Sequence, residues 1–265
     1  MSTQDYIIVI PARFASTRFP GKPLHPIHGR PMILHTADRA RESGATGVVI
    51  ATDDPRIQRV CEEDGLDVQL TSPSHPSGTD RIAEVVCTRK WPDDTVVVGL
   101  QGDEPATSSA HLDELAQNLC CHPEAAVATL CMPMNDEADY SNPNRVKVVR
   151  DVNDMALYFS RAPIPARRSA LVNAQSKHLQ NGNGNRLPQS SIPETYLHIG
   201  LYAYRCEFLK KYLQLPACML ESEEQLEQLR VLYHGGRIHV GSVAESPVRG
   251  VDHPDDISVL EALLD

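Results

Sequence analysis

Short apolar runs and longer amphipathic segments alternate along the first half of the chain. The apolar runs lie at 7–10, 48–52, 68–71, 95–100 and 125–132. Between them, apolar residues recur at helical spacing, which predicts helices at about 31–43, 55–64, 79–90 and 108–121. Strands that alternate with helices in this way indicate a doubly wound, mostly parallel sheet with helices on both faces. The pattern therefore predicts an α/β fold.

The pattern changes after about residue 133. Longer strands without helices between them are predicted at 145–149, 156–160 and 196–205, which indicates a smaller antiparallel extension or lobe. The polar stretch 173–191 is rich in Asn and Gly, and we expect it to be a mobile surface loop. Regular structure then returns, with a predicted helix at 223–234, a strand at 237–243 and a closing helix at 254–264.

Length and composition exclude several classes of protein. A chain of 265 residues with 41% hydrophobic content can bury a substantial core, and its formal net charge of -10 argues against nucleic-acid binding. No apolar stretch is long enough for a membrane span, and the first residues carry no export signal, so we expect a cytoplasmic protein without membrane insertion. The 7 cysteines form no C-x-x-C motif, which favours a reducing compartment.

A basic loop follows the first predicted strand. Arg13, Arg18 and Lys22 lie in this loop, together with Gly21 and three prolines. Loops after the first strand of an open α/β sheet are usual sites for phosphate groups, and proline limits the ordering cost of binding. The two common phosphate-binding fingerprints, G-x-x-x-x-G-K-[ST] and G-x-G-x-x-G, are absent. The loop is therefore either a polyphosphate site of another kind or a solvated basic surface.

Acidic residues are predicted at the same edge of the sheet. The buried-type strand at 95–100 ends in Gln101-Gly-Asp-Glu-Pro, which brings Asp103 and Glu104 to its carboxyl end. Asp252 precedes the closing helix and is a candidate second metal ligand. Mg²⁺ is commonly held by one or two carboxylates together with phosphate oxygens. The pattern favours Asp103 as a magnesium ligand, while Glu104 also fits a helix cap.

The motifs resemble one known family. IPARFASTRFPGKPL, ATDD, SGTDRIAE, QGDEP, NPNRVKVV, ALYFSRAPIP, HIGLYAYR, LEQLR and GVD occur in the order and approximate spacing of the 3-deoxy-manno-octulosonate cytidylyltransferases. The resemblance spans nearly the whole chain. It implies an enzyme that joins CTP to the eight-carbon acidic sugar 3-deoxy-manno-octulosonate (Kdo), giving CMP-Kdo and pyrophosphate for lipopolysaccharide synthesis.

The resemblance also implies residue roles. The implied catalytic residues are Arg13, Lys22, Asp103 and Asp252, of which the two aspartates would hold Mg²⁺. The implied nucleotide-binding residues are Pro11, Ala12, Arg13, Lys22, Ser77, Gly78, Arg81 and Gln101. The implied sugar-binding residues are Arg18, Gln101, Arg161, His198, Tyr202, Glu227 and Gln228.

The resemblance further implies one domain over 1–265 and a homodimer. Its nucleotide-binding core would comprise 1–133 and 235–265, and 134–234 would form a sugar-binding and dimerisation lobe. Three positions depart from the family pattern, which usually has Asn at Gly99, Arg at Leu197 and Thr at His253. The missing cation at position 197 raises the question of how the acid group of the sugar is held.

Other functions stay open at this point. The same chemistry could serve another sugar acid, such as an amino-substituted Kdo or sialic acid. A glycosyltransferase would keep a metal-binding acid but would not need Lys22 beside a pyrophosphate leaving group. A non-catalytic nucleotide-binding protein would not require both Asp103 and Asp252, and both are present.

Overall fold

A computed structural model describes residues 5–15, 19–166, 168, 194–245, 250–251 and 253–264. The predicted site residues Arg18 and Asp252 and the predicted loop 173–191 lie outside the described residues. The described strands are β1 (Tyr6–Ala12), β2 (Pro26–Ile27), β3 (Arg30–Pro31), β4 (Gly47–Thr52), β5 (Asp67–Leu70), β6 (Val96–Gly99), β7 (Val127–Pro133), β8 (Lys147–Arg150), β9 (Ala156–Ser160), β10 (Tyr196–Arg205) and β11 (Ile238–Ser242).

The described helices are α1 (Met32–Arg41), α2 (Pro55–Glu63), α3 (Gly78–Arg89), α4 (Ser109–Cys121), α5 (Glu137–Ser141), α6 (Cys206–Tyr212), α7 (Met219–Glu224), α8 (Gln228–Tyr233) and α9 (Asp256–Leu264). A short 3-10 turn forms at Lys22–Leu24. None of the helices in the described ranges is both long and apolar enough to cross a membrane.

A 9-stranded sheet organises the molecule in the order β11-β7-β10-β6-β1-β4-β5, with β8 beside β10 and β9 beside β8. All of its strands except β9 and β10 run in one direction, so the mostly parallel α/β fold is confirmed. A separate small antiparallel sheet pairs β2 with β3. Strand β10 lies in the predicted lobe segment 134–234, yet it pairs with β6 and β7 of the predicted core.

Two apolar layers enclose this sheet because its central strands are buried on both faces. Within β1, Ile8 and Ile10 belong to one layer and Val9 to the other. Helices α1, α2 and α4 contribute to the first layer, while α3, α6 and α8 contribute to the second. Such strands have near-continuous apolar sequences because helices cover both faces of a parallel sheet. The layers hold the carboxyl ends of β1 and β6 side by side.

The predicted elements of the first half are confirmed, with ends that differ by a residue or two. The single helix predicted at 223–234 is wrong, because the chain breaks between α7 and α8 at Gln225, whose φ of 51° is left-handed. The sequence also did not predict two helices that flank the later strands. Helix α5 precedes β8, and helix α6 directly follows β10.

We expect the protein to lose stability in mild acid because of His239. Its ring stacks on His122 with 3.6 Å between centroids, and burial, followed by the charge of His122, lowers the pKa of His239 from 6.5 to about 4. The unfolded chain therefore binds this proton near pH 6.5 and the folded chain near pH 4. The free energy of unfolding should fall as the pH decreases between these values, by up to about 3 kcal/mol.

Denaturant unfolding at pH 7 and pH 4.5 measures this effect. His239→Gln should remove the part of the fall in the free energy of unfolding that this histidine causes. His234→Gln, at an exposed position, should show the same fall as the wild type. Equal losses in the wild type and the His239 variant would contradict the assignment.

Candidate active site

A cavity of about 210 Å³ lies at the carboxyl ends of β1 and β6, against the start of α3. We call it the nucleotide cavity. It is lined by every residue that the sequence predicts for nucleotide binding, namely Pro11, Ala12, Arg13, Lys22, Ser77, Gly78, Arg81 and Gln101. The predicted metal ligand Asp103 lines it too. The sequence did not single out the other lining residues, which are Pro23, His75, Pro76 and Gly102.

Lys22 joins the basic loop to two other segments of the chain. Its ammonium group donates to the Asp103 carboxylate and, at 2.7 Å, to the carbonyl of Val251. Gly21 makes the turn before it with a φ of 73°, a conformation that favours glycine. The loop after β1, the turn after β6 and the segment before α9 therefore meet at one side chain.

Residues 101–104, which we call the acidic turn, extend the contact between β1 and β6. The Gly102 N–H donates to the Pro11 carbonyl at 3.3 Å, and the Val251 N–H donates to the Asp103 carbonyl at 2.9 Å. Asp252 follows Val251 directly in the sequence. Val251, the neighbour of the predicted metal ligand Asp252, is thus hydrogen-bonded to Asp103, the other predicted metal ligand.

Asp103 and Glu104 differ in environment although they are adjacent. The Asp103 side chain is 32% exposed, whereas Glu104 Oε2 is buried and makes no hydrogen bond to any described residue. Burial, followed by the charge of Asp103, raises the pKa of Glu104 to about 8, and Lys22 opposes this shift. Glu104 is therefore mostly protonated at pH 7.

The first turn of α3 forms another wall of the nucleotide cavity. Ser77 caps this helix by accepting from the Asp80 N–H at 3.2 Å. Gly78 leaves room for Gln101, whose side-chain nitrogen would lie 3.2 Å from a Cβ at that position. Arg81 is buried and pairs with Asp53 at 3.4 Å. Its charge is thus partly neutralised within the wall.

A second cavity, of about 360 Å³, lies beside β10; we call it the sugar cavity. Three predicted sugar-binding residues line it, namely His198, Tyr202 and Gln228. The register between β10 and β7 shifts between Ile199 and Tyr202, and Gly200 and Leu201 lie within this bulge. Bulges redirect side chains next to binding sites. Here the ring centroids of His198 and Tyr202, on either side of the bulge, lie 5.5 Å apart.

His198 is a neutral hydrogen-bonding group in this wall. Burial lowers its pKa to about 3. Its Nε2 lies 3.0 Å from Thr129 Oγ1, which also lies 2.8 Å from the carbonyl of Leu201 and 3.0 Å from that of Ile199. When the Thr129 hydroxyl donates to one of these carbonyls, Nε2 donates to Thr129 Oγ1 and Nδ1 is left as an acceptor for a ligand hydroxyl.

Gln228 lines the sugar cavity, whereas its neighbour Glu227, which is also predicted for sugar binding, is not among the described residues that line it. The Gln228 Nε2 is buried and donates to no residue among those described, which suits a donor awaiting a ligand oxygen. Glu227 lines a smaller adjoining cavity with Tyr202 and Gln228. Its carboxylate accepts from Ser77 Oγ at 3.2 Å and from Tyr212 at 2.7 Å. Glu227 thus connects Ser77, which lines the nucleotide cavity, to the chain next to Gln228, which lines the sugar cavity.

Arg161, which the sequence predicts for sugar binding, is not among the described residues that line the sugar cavity. Its guanidinium donates to the carbonyls of Glu224 at 2.7 Å, Gln225 at 3.3 Å and Pro143 at 3.1 Å. The bonds to Glu224 and Gln225 cap the break between α7 and α8. The same interaction explains why one predicted helix becomes two.

Sequence reasoning missed several residues of the sugar cavity. Glu104, Asn144, Arg145 and Gly250 line it, together with Leu197 from one of the three departing positions. Leu197 is buried with Met134 and Tyr140. Arg145 is the first residue of the predicted strand 145–149, inside a motif that the resemblance already marked, and that position was the available signal.

Mg²⁺ fits the donors at this edge. Asp103 offers a partly exposed carboxylate to the nucleotide cavity. No group of three or more His, Cys, Asp or Glu side chains in the described ranges could hold a metal ion. Mg²⁺ needs no such group where phosphate oxygens and water complete its shell.

A cavity with basic residues beside a polar cavity, at the carboxyl edge of a doubly wound sheet, is typical of a nucleotide-dependent transferase. Residues 7–238 match the cytidylyltransferase family. The chain is 46% identical over 260 residues to a 3-deoxy-manno-octulosonate cytidylyltransferase of Nitrosococcus oceani, covering 98% of this chain and 96% of that protein. It is also 46% identical over 263 residues to the protein of that name from Pseudomonas syringae pv. syringae, covering 99% of each.

Solved structures give the same relationship. A CMP:2-keto-3-deoxy-manno-octonic acid synthetase complexed with CTP has a TM-score of 0.84 and 38% identity, covering 98% of each chain. A 4-diphosphocytidyl-2C-methyl-D-erythritol synthase, at a TM-score of 0.60 and 12% identity, shares the fold. The chain belongs to the cytidylyltransferase family and, within it, to the 3-deoxy-manno-octulosonate cytidylyltransferases.

We expect Glu104→Gln to change the pH dependence of stability. Between pH 4.5 and pH 8 the folded protein holds a proton on Glu104 that the unfolded chain has lost. Raising the pH through this range should therefore destabilise the wild type relative to the variant, by at least about 2 kcal/mol. Denaturant unfolding at pH 5 and pH 9 measures this, with Glu114→Gln at an exposed position as the control. Parallel profiles for all three proteins would refute the shift.

Proposed function

We propose that this protein transfers CMP from CTP to the anomeric hydroxyl of Kdo, forming CMP-Kdo and pyrophosphate. The observation that carries the proposal is the position of the acidic turn between the two cavities. Asp103 lines the nucleotide cavity, and the next residue, Glu104, lines the sugar cavity. A nucleotide in one and a sugar acid in the other would meet at this turn, which is the requirement for transfer between them.

The nucleotide cavity supports CTP binding through both its charge and its shape. Arg13 and Lys22 offer cations to the triphosphate and to the departing pyrophosphate. The first turn of α3 and Gln101 offer the polar groups that would read cytosine and ribose. Gly78 lies directly against the Gln101 side chain and next to Ser77 in the chain. These three residues could therefore contact the same small part of the nucleotide.

The sugar cavity supports a ligand with many hydroxyls. His198 Nδ1 can accept a hydrogen bond, and the buried Gln228 Nε2 can donate one. Burial raises the pKa of Tyr202 well above its ordinary value, so its phenol remains a neutral hydroxyl. Neutral hydrogen-bond donors and acceptors in one wall suit the hydroxyl groups of a polyol better than they suit a ligand with charged groups only.

The proposed reaction is a displacement at the α-phosphorus. The anomeric oxygen forms a bond to this phosphorus, the bond to the bridging oxygen of the β-phosphate breaks, and pyrophosphate leaves with that electron pair. The hydroxyl proton passes to solvent, and no side-chain base is required. Asp103 and Asp252 would hold Mg²⁺, which would supply positive charge to the phosphate oxygens and lower the pKa of the attacking hydroxyl. Arg13 and Lys22 stabilise the charge on the leaving group.

We further propose a setting for this activity. CMP-Kdo would serve lipopolysaccharide synthesis, in the cytoplasm and in a homodimer. The resemblance of the motifs supports these three statements, and the negative net charge is compatible with small anionic ligands held by local cations.

Pyrophosphate release from CTP and Mg²⁺ tests the proposal. Kdo, an amino-substituted Kdo and sialic acid should be offered separately, and we expect release with Kdo far above the rate with sialic acid. Faster release with another sugar acid would move the assignment to that acid. The absence of release with every acceptor would contradict transferase activity.

We expect Asp103→Asn to lower turnover by about 100-fold or more, because the amide loses the charge that would hold the metal at the phosphates. CTP binding, measured by calorimetry, should stay largely intact because the cations of the cavity remain. Asp67→Asn, at a carboxylate that pairs with Arg89 at 2.8 Å, is the matched control and should keep its turnover. Near-normal turnover in Asp103→Asn would contradict the metal role.

A further inference from the structure

The two oxygens of the Glu227 carboxylate have different surroundings. Oε1 accepts hydrogen bonds from the Tyr212 hydroxyl at 2.7 Å and from Ser77 Oγ at 3.2 Å. Oε2 makes no hydrogen bond to any described residue, and it is not sealed from solvent. The protein therefore fixes one oxygen of this carboxylate and leaves the other available to a ligand.

Glu227 lies where a ligand of the sugar cavity can reach it. It lines the smaller adjoining cavity, of about 60 Å³, together with Tyr202 and Gln228. Tyr202 and Gln228 also line the sugar cavity, so the two cavities share part of their walls. A sugar hydroxyl beside these two residues can therefore donate to Glu227 Oε2.

Tyr212 is the stronger of the two donors to Oε1. A serine hydroxyl carries one proton, and Ser77 Oγ lies 2.6 Å from Asp80 Oδ2, which is closer than its 3.2 Å to Glu227. Ser77 therefore donates chiefly to Asp80. The Tyr212 hydroxyl donates to Glu227 and to no other residue in the described part of the chain. The orientation of the Glu227 carboxylate thus depends mainly on Tyr212.

The Tyr212 side chain is itself held firmly. It is 1% exposed, and the guanidinium carbon of Arg230 lies 4.8 Å from the centre of its ring. Arg230 is fixed in turn by Glu221, to which its Nε donates at 2.8 Å. Burial, followed by the charge of Glu227, raises the pKa of Tyr212 far above its ordinary value. The hydroxyl therefore keeps the proton that it donates to Glu227.

The position of Glu227 in its own helix does not explain these contacts. Glu227 is the N-cap residue of α8, yet its side chain makes no capping hydrogen bond. N-cap side chains commonly accept from the N–H groups of their own helix. The Glu227 carboxylate is instead held by Tyr212 of α6 and by Ser77 before α3. Its contacts thus serve a purpose other than ending the helix.

We propose that Tyr212 is a positioning residue for sugar binding. Its hydroxyl holds Glu227 Oε1, so that Oε2 accepts a hydrogen bond from a hydroxyl of the sugar. Tyr212 acts through Glu227 and not by contact with the sugar. This inference rests on the proposed function, since it assumes that the sugar cavity takes a polyhydroxy sugar acid. It adds a residue that neither the sequence pattern nor the family resemblance singled out.

Steady-state kinetics of Tyr212→Phe tests the proposal, because phenylalanine keeps the buried ring and removes only the hydroxyl. The KM for Kdo should rise by about 10-fold, as expected when a carboxylate loses the hydrogen bond that orients it. The KM for CTP should change by less than about twofold. A smaller folded fraction would lower the apparent kcat and leave both KM values unchanged, so it would not imitate this result.

A second variant shows whether Tyr212 acts through Glu227. Glu227→Ala removes both carboxylate oxygens, so adding Tyr212→Phe to it should change the KM for Kdo by less than about twofold. Tyr6→Phe is the matched control, because the Tyr6 hydroxyl is that of another buried tyrosine and donates to the Asp113 carboxylate at 2.6 Å. This variant should keep both wild-type KM values.

Three results would overturn the proposal. The first is an unchanged KM for Kdo in Tyr212→Phe, and the second is an equal rise in the KM for Kdo and for CTP. The third is an undiminished effect of Tyr212→Phe in the Glu227→Ala background, because Tyr212 would then act by another route. Failure of the proposed function is distinguishable from these, since the wild type itself would release no pyrophosphate with any sugar acid.

Discussion

The contact between Lys22 and Asp103 is the interaction on which the site depends. Three segments that are distant in the sequence meet at the Lys22 ammonium group, because it also donates to the Val251 carbonyl. The parallel pairing of β1 with β6 brings the first two segments together, and the Asp103 carbonyl fixes the third by accepting from Val251. Without this contact, the positive charges of the basic loop and the negative charge of the acidic turn would lie apart instead of forming one site that contains both.

The electrostatics of the two cavities follow from this arrangement. The chain carries a net charge of -10, yet the substrates we propose for it are a triphosphate and a sugar acid. Local cations offset that charge, with Arg13 and Lys22 in the nucleotide cavity. The raised pKa of Glu104 removes one negative charge from between the cavities at neutral pH. Anion binding is thus a property of the site and not of the surface as a whole.

The first half of the fold, the basic loop and the acidic turn were predictable because they depend on local patterns, whereas Ser77, Gly78 and Arg81 of the nucleotide cavity were implied only by the family resemblance. Apolar periodicity predicts the alternating strands and helices, and the carboxyl ends of adjacent parallel strands must share one edge. The sugar cavity was less predictable because non-local contacts form it. The guanidinium of Arg161 caps α7 from a remote strand, so no pattern near Gln225 could reveal the break. The bulge that directs His198 and Tyr202 depends on Thr129, which lies in another strand.

A crystal structure with CTP and Mn²⁺ is the most direct measurement of the central claim, because anomalous scattering locates the metal. The account predicts an anomalous peak in contact with the Asp103 carboxylate, with triphosphate oxygens beside Lys22 and Arg13 and cytosine at the first turn of α3. A metal away from Asp103, or a nucleotide bound beside β10 in the sugar cavity, would contradict it.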